Sequence, residues 1–386
     1  MANPFTGANS PLWYVEEVTP GVTPTNPVWK ELRTVSGMPS TQRDMTESNE
    51  LNSKRDSSKP RLGNKQVTGE LAVEYTASSQ DDILAGAMMG TWEAGETETG
   101  LNITVNATAK TFTRAAGDFT TKVEVGDYIA FTTLTGDNAK PFFVTNVTAL
   151  AITAGESTYK LADETKAAVT YKTANRLQVG SVCKTYSILA ILNGTCGTTT
   201  AYMISRGVRF TGFSLEAAVN SMITGSSTVI GMNQEVLTAF PAGSTFPAIT
   251  KPDPFHAVDA VAFEEGVKLE FVDNFAITND NSASAQFALG DDSVSFVEMA
   301  KAVNTFSASG KVASLDLFKK SLGEPASTFK VCFANSDGAL AFKLNNCTFS
   351  VTPERGGPES ITQAIEGQAA MADNGESSLV IYRIVY

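Results

Sequence analysis

The sequence has one histidine, His256, in 386 residues. Any triad, imidazole acid–base pair or histidine metal cluster would have to pass through it, yet KPDPFHAVD sets no nucleophile or ligand motif beside it. His256 is read as a local structural or surface residue. Cysteine is also scarce: Cys183, Cys196, Cys332 and Cys347 form no CxxC pair and are too few to staple a chain of this length. They read as small core or half-buried residues. There is no GxxxxGKS/T phosphate loop, GxGxxG turn, GxSxG elbow, HExxH helix or EF-hand loop. The acidic doublets Asp81-Asp82, Glu264-Glu265 and Asp291-Asp292 each suit a helix start or strand turn, where a glycosidase would need two carboxylates set across a substrate. No catalytic, cofactor-binding or metal-ligating residue is nominated, and no enzyme is expected.

Positive charge is the next shortage. With 29 basic against 41 acidic residues and a formal charge of -12, the chain is unsuited to wrapping a phosphate backbone. It remains compatible with a channel through which nucleic acid slides without adhering. No apolar run reaches bilayer length, and MANPFTGANSPLWY lacks the basic end and apolar core of a secretory signal, so a soluble, cytoplasmically made chain with no membrane partner is expected. Sequons at Asn102, Asn106, Asn146, Asn193 and Asn346 then follow from a Thr- and Asn-rich composition, not from glycosylation.

What the chain does have is alternation. VWKELRTV (28–35) reads as a first strand, followed by a long polar segment, 36–64. That segment carries Arg43, Asp44, Glu47, Glu50, Lys54, Arg55, Asp56, Lys59 and Arg61. Its mixed charge suits a contact arm toward another protein copy, and without aromatics it offers bases no stacking platform. VTGELAVEY (67–75) alternates strictly and puts Glu70 and Glu74 on one face. In SSQDDILAGAMMGTW, Ser79 is placed to cap a short helix with Gly90 near its stop.

From 93 to 174 the composition turns Thr-, Ala- and Gly-rich, and VEVGDYIAFTTLTGDNAKPFFVTNVTAL predicts a compact inserted barrel with Tyr128, Phe131, Phe142 and Phe143 in its core. FTGFSLEAAV reads as strand by its alternation, and 233–253 reads as a linker.

The order of these pieces recurs. FSASGKVASLDLF (306–318) parallels KQVTGELAVEY, with Gly310 opposite Gly69; 343–371 parallels 203–232, with Gly367 opposite Gly225; and KKSLGEPAST stands where the helix would be. The expected fold is therefore mainly β: two tandem β-sandwich domains, each with a flanking short helix, plus a small inserted barrel-like domain. The expected divisions are 1–92 with 175–247 as a discontinuous first domain, 93–174 as the insert, and 248–386 as the second. Two similar units in one chain favour quasi-equivalent places in a closed ring, which leaves no free sheet edge.

EEVTPGVTPTNPVWKELRTVSG, the TESNELNSKRD arm, VTGELAVEY with DDILAGAMMGTW, and FTGFSLEAAVNSMITGSSTVIGM together resemble the major tail tube proteins of long non-contractile-tailed bacteriophages, of the type with a duplicated domain. The resemblance implies a non-enzymatic virion tail protein that associates with itself into rings, here trimers with a pseudo-six-fold inner wall. The rings stack into a hollow conduit for double-stranded DNA, alongside tail terminator, tape measure and distal tail proteins. It also implies that 36–64 reaches a neighbouring ring, that 276–292 is its counterpart in the second copy, that Glu70 and Glu74 can face the lumen, and that the insert points outward. A carbohydrate- or cell-surface-binding fibre or adhesin is the alternative for Thr/Asn-rich strands.

Overall fold

A computed structural model describes residues 4–50, 59–123, 125–155, 160–195, 200–248, 251–323, 326–358 and 360–385. In the first part of the chain the alternating segments form β1 (Leu12–Glu16), β2 (Lys30–Leu32), β3 (Ser40–Thr46) and β4 (Arg61–Glu74), followed by helix α1 (Asp81–Ala87). The insert comprises β5 (Thr97–Asn106), β6 (Thr111–Arg114), β7 (Tyr128–Phe131), β8 (Phe142–Val147), β9 (Ala151–Ala154) and β10 (Glu164–Thr173). The chain then returns through β11 (Asn175–Gln178), β12 (Tyr186–Asn193), β13 (Thr200–Ala218), β14 (Thr224–Gly231) and β15 (Asn233–Leu237).

The second part contains β16 (Ala260–Glu264), β17 (Val267–Lys268), β18 (Val272–Asp280), β19 (Ser284–Phe287), β20 (Val294–Glu298) and β21 (Val303–Lys311). It closes with α2 (Asp316–Ser321), β22 (Ser327–Ala334), β23 (Gly338–Glu354), β24 (Thr362–Ala369) and β25 (Leu379–Val385).

Two layers enclose the main core. The first is one continuous antiparallel sheet in the order β3-β4-β14-β13-β18-β21-β24-β23. The second consists of β2-β1-β12-β13-β15 and β17-β16-β22-β23-β25-β11. Between them a single hydrophobic cluster runs through both parts of the chain, from Leu71, Phe210 and Phe213 to Phe306, Phe329 and Phe342.

Strands β13 and β23 belong to both layers. Each makes the crossing at a residue with positive φ: Gly207 at +63° and Asn346 at +47°. Glycine and asparagine tolerate that region best, which is why these residues can re-aim the strand. At the first crossing the buried Glu17 carboxylate accepts from the Gly207 amide at 3.0 Å and from the Ser187 hydroxyl at 2.7 Å.

Aligning the two crossings makes the duplication explicit. Strands β1, β2, β3, β4, β12, β13, β14 and β15 take the places of β16, β17, β18, β21, β22, β23, β24 and β25, with α1 matching α2. The ladders then set Phe210 against Phe349, Val229 against Gly367, and Gly69 against Phe306. The glycine correspondence expected from sequence is thus slipped along the strands. Because the slip is even, it keeps every side chain on its own face, so alternation alone cannot detect it.

Other expectations change too. A first strand, β1, precedes the one predicted at 28–35, which shrinks to β2, and the expected linker contains β15. FTGFSLEAAV is strand, as its alternation requires. Helix α1 is preceded by Gln80 with no side-chain cap, while the Ser79 hydroxyl accepts from Arg33 at 3.0 Å.

The insert is a closed barrel, β10-β5-β6-β9-β8-β7. It sits between α1 and β12, where the second copy passes from α2 to β22 with no extra domain. Phe112, Phe119, Phe131, Phe142 and Tyr171 fill it. Tyr128 and Phe143 are not in that core. They pack on the second part of the chain with Phe263, Cys332 and Tyr382.

Candidate functional site

With no enzymatic motif to follow, the functional geometry has to be sought on surfaces. The β3–β23 sheet turns one face to the core, with Leu71, Val73, Leu215, Phe275, Ile277, Phe306 and Ile365 buried. On the opposite face the ladders place one row as Glu74, Thr224, Glu216, Ala276, Ser307, Glu366, Ser350. A neighbouring row reads Ala72, Ser226, Ser214, Thr278, Thr305, Gln368, Thr348. The face is a continuous carpet of small hydroxyl, amide and methyl side chains.

Its charges are almost all acidic. Glu70, Glu74, Glu216, Asp280, Glu354 and Glu366 lie on it; among the described residues its cations include Lys311 and, buried where it donates to the Val297 carbonyl, Arg209. Ser214 and Ser226 bridge neighbouring strands at 3.1 Å, and Asn274 donates to Glu216 at 2.9 Å, so several polar groups are held flat against the wall. Glu70 and Glu74 share this face as alternation requires. Sequence reading missed Glu216, Asp280, Glu354 and Glu366. The alternation in FTGFSLEAAV carries the signal for Glu216; the others needed the strand register.

The predicted arm begins as the hairpin of β3 and β4, whose strands rise beyond the sheet. Asp44, Glu47, Glu50, Lys59 and Arg61 are exposed on it; Lys54, Arg55 and Asp56 fall outside the described residues. Arg43 points back toward the body, donating to the Gly63 carbonyl at 3.1 Å and pairing with Asp292 at 3.3 Å. Lys65 pairs with the same carboxylate at 3.4 Å, and its amide donates to the Asp292 carbonyl at 2.7 Å. Asp292 thus fastens the loop of the second copy to the base of the first copy's arm.

That loop is itself a hairpin, β19–β20, folded over the first copy. Val294 and Val297 are buried beneath it, and Arg209 donates to the Val297 carbonyl at 2.7 Å. Asn281, at the hairpin's root, donates to the Ala87 carbonyl at the end of α1 at 2.7 Å and to the Thr211 carbonyl at 2.9 Å. Asn279 and Asn304 continue this buried amide chain at 2.8 Å.

The barrel is fixed by a buried cation. Lys330 on β22 donates to the Gly126 carbonyl at 2.8 Å and lies 3.7 Å from the Phe143 ring centroid. Burial pulls its amine down to about 8, because desolvation penalises the charged form. The barrel therefore stands on the layer opposite the acidic face, over β22, β23 and β25.

His256 Nδ1 accepts from the Val258 amide at 3.3 Å and caps the turn Ala257–Asp259. Cys332 and Cys347 are buried free thiols, and Cys183 is exposed. Among the described residues no cluster of three or more His, Cys, Asp or Glu side chains could hold a metal ion, and no helix is long and apolar enough to cross a membrane. No curated protein matches the chain. A family model described as phage tail tube protein matches it from residue 7 to residue 369, which takes in both copies and the barrel. With nearly its whole length covered, and with a duplicated β architecture bearing one long polar sheet face, the chain belongs to the phage tail tube protein family.

Proposed function

We propose that three chains close into a ring in which the β3–β23 sheets form one continuous inner wall of six similar units, and that rings stack into the conduit for genome delivery through a siphophage tail. The family is structural and non-enzymatic, and its members belong to the virion tail. The observation that carries this reading is the open sheet face: it runs across both copies without interruption, is paved with Ser, Thr and small residues, and concentrates carboxylates. Both outer edges of the sheet, β3 and β23, have no strand partner on that side within the described chain. Closing a ring gives each edge a neighbour.

An acidic wall repels DNA phosphates, so the genome passes with few contacts to break. The second layer faces away from this lumen, which sets the barrel outside the tube. The divisions 1–92 with 175–247, 93–174 and 248–386 are the units of this reading. Tail terminator, tape measure and distal tail proteins are its partners, with assembly in the host bacterial cytoplasm.

Negative-stain micrographs of concentrated purified protein should contain hollow tubes with a regular ring repeat; dispersed monomers under all tested conditions would refute the reading. Deleting residues 43–61 should leave the β domains folded and prevent long tubes. Deleting the barrel should leave tubes intact and thinner.

A further inference from the structure

The sequence holds two Asn-Gly pairs, Asn193-Gly194 and Asn374-Gly375. An asparagine before glycine can lose its side-chain amide spontaneously, because no Cβ shields the next backbone nitrogen from the asparagine's own Cγ. The two pairs stand in opposite settings. Asn193 lies in β12 opposite Thr200, and its side chain is pinned at both ends: Nδ2 donates to the Asn9 carbonyl at 2.7 Å, and Oδ1 accepts from the Thr200 hydroxyl at 3.1 Å. Gly194 behind it is buried. Asn374 and Gly375 are both exposed, in the turn between β24 and β25, with Gly375 at φ +85°. There Asn374 Oδ1 accepts from the Glu376 amide at 3.0 Å, which folds the side chain back over the main chain and polarises its carbonyl. The bond from the exposed Gly375 amide to the Ala372 carbonyl, 2.9 Å long, has to open before that nitrogen can react.

The residues that follow the turn hold the barrel in place. The Glu376 carboxylate accepts from Arg176 Nη2 at 2.7 Å, from Lys343 Nζ at 2.7 Å and from Asn345 Nδ2 at 3.0 Å. The Ser377 amide donates to the Gln178 side-chain oxygen at 3.3 Å, and its hydroxyl to the Val179 carbonyl at 3.4 Å. Arg176 stands where the chain both enters and leaves the barrel: its amide donates to the Glu93 carbonyl at 2.9 Å, and its carbonyl accepts from the Glu93 amide at 2.8 Å. The turn 372–377 therefore grips the two connections of the barrel together.

We infer that Asn374 is a site of spontaneous deamidation, and that its isoaspartyl form loosens the mount of the barrel. The deprotonated Gly375 amide attacks Asn374 Cγ. A new N–C bond forms as the bond to Nδ2 breaks, and the departing nitrogen takes a proton from water and leaves as ammonia. Water then opens the cyclic imide at either carbonyl, giving aspartate or isoaspartate, with no oxidation or reduction. The isoaspartyl product routes the main chain through the former side chain and adds one methylene between residues 374 and 375. It takes away the Oδ1 acceptor of the Glu376 amide and displaces a carboxylate whose side chain is only 10% exposed between Arg176 and Lys343. Parting a half-buried carboxylate from two cations weakens the grip on β11.

The test stores the full chain at mildly alkaline pH, where the amide ionises more readily, and digests it with trypsin at intervals. Peptide 356–383, which carries Asn374, should gain one mass unit and split into two chromatographic forms at least tenfold faster than peptide 185–206, which carries Asn193. Equal rates, or no conversion in 356–383, would overturn the site. Hydrogen exchange then reads the mount. In the aged parent the amides of β11, Asn175–Gln178, should exchange several-fold faster than in the fresh protein. Aged Asn374→Gln, whose longer side chain closes an imide far more slowly, should match its fresh form. Unchanged exchange in the aged parent, or the same rise in the glutamine variant, would overturn the coupling to the barrel.

Discussion

The two copies keep one strand order and diverge at their helices and loops. In the first, α1 is built from Ile83, Leu84, Ala85, Gly86 and Ala87, all buried, and Asn281 of the second copy caps its final carbonyl. In the second, α2 reads DLFKKS and buries none of its residues. The loops reverse the contrast: the first copy's arm projects with its charges exposed, whereas the second copy's hairpin is tied down by Asp292 and Arg209. A duplicated unit thus specialises where one copy contacts the other, while the ladders of the continuous sheet stay constant.

The largest test of that contrast is Gly86→Val. A Cβ at Gly86 would stand 3.1 Å from Phe210 and 3.3 Å from Tyr186, and overpacking there should cost about 3 kcal/mol in urea unfolding. Lys319→Ala on the solvent side of α2 should change stability by less than about 0.5 kcal/mol. Equal losses at the two helices would mean that α1 and α2 are buried alike.

Asn281→Ala should follow at about 2 kcal/mol, since it strips the Ala87 carbonyl of its side-chain donor and leaves the Thr211 carbonyl with only the residue 281 amide at 3.3 Å. A loss below about 0.5 kcal/mol would mean that the hairpin root does not tie the copies together.

The barrel joint responds to pH. The folded-state pKa of Lys330, about 8, lies below its ordinary value, so burying the ammonium costs stability below pH 8. That cost is relieved as pH rises from about 8 toward the ordinary lysine value near 10.4. Lys330→Met removes the charge. Its melting temperature should exceed that of the parent by a few degrees at pH 7, with the gap closing near pH 10. A gap independent of pH would contradict the buried-cation account.

Smallest of all, Asp292→Ala should cost under about 1 kcal/mol, because its carboxylate is 57% exposed and its partners are solvated. Chain stability should hardly move while tube length falls. A large loss of stability would place the hairpin among the determinants of the fold.

Much of this was legible in the sequence because period-two alternation marks strands and their faces. The β4 pattern puts Glu70 and Glu74 two strand periods apart, and the composition shift over 93–174 spans the strands β5 to β10. The strand partners were not legible. Gly69 takes the place of Phe306, not of Gly310, and an even slip leaves no trace in alternation. Short β1 was hidden in a proline-flanked stretch, and β15 in a segment that looked like a linker. Tyr128 and Phe143 looked like barrel core because aromatic content alone does not distinguish a domain's interior from its docking face. The same limit hid Asp292, whose partners stand at the far side of the sequence, on the arm's base.

The decisive measurement is a cryo-electron microscopy reconstruction of the assembled protein at side-chain resolution. Rings of three chains are expected, with Glu70, Glu74, Glu216 and Glu366 facing a hollow acidic lumen and the barrel on the outside. A tube with this sheet face turned outward, or with a strongly basic lumen, would contradict it.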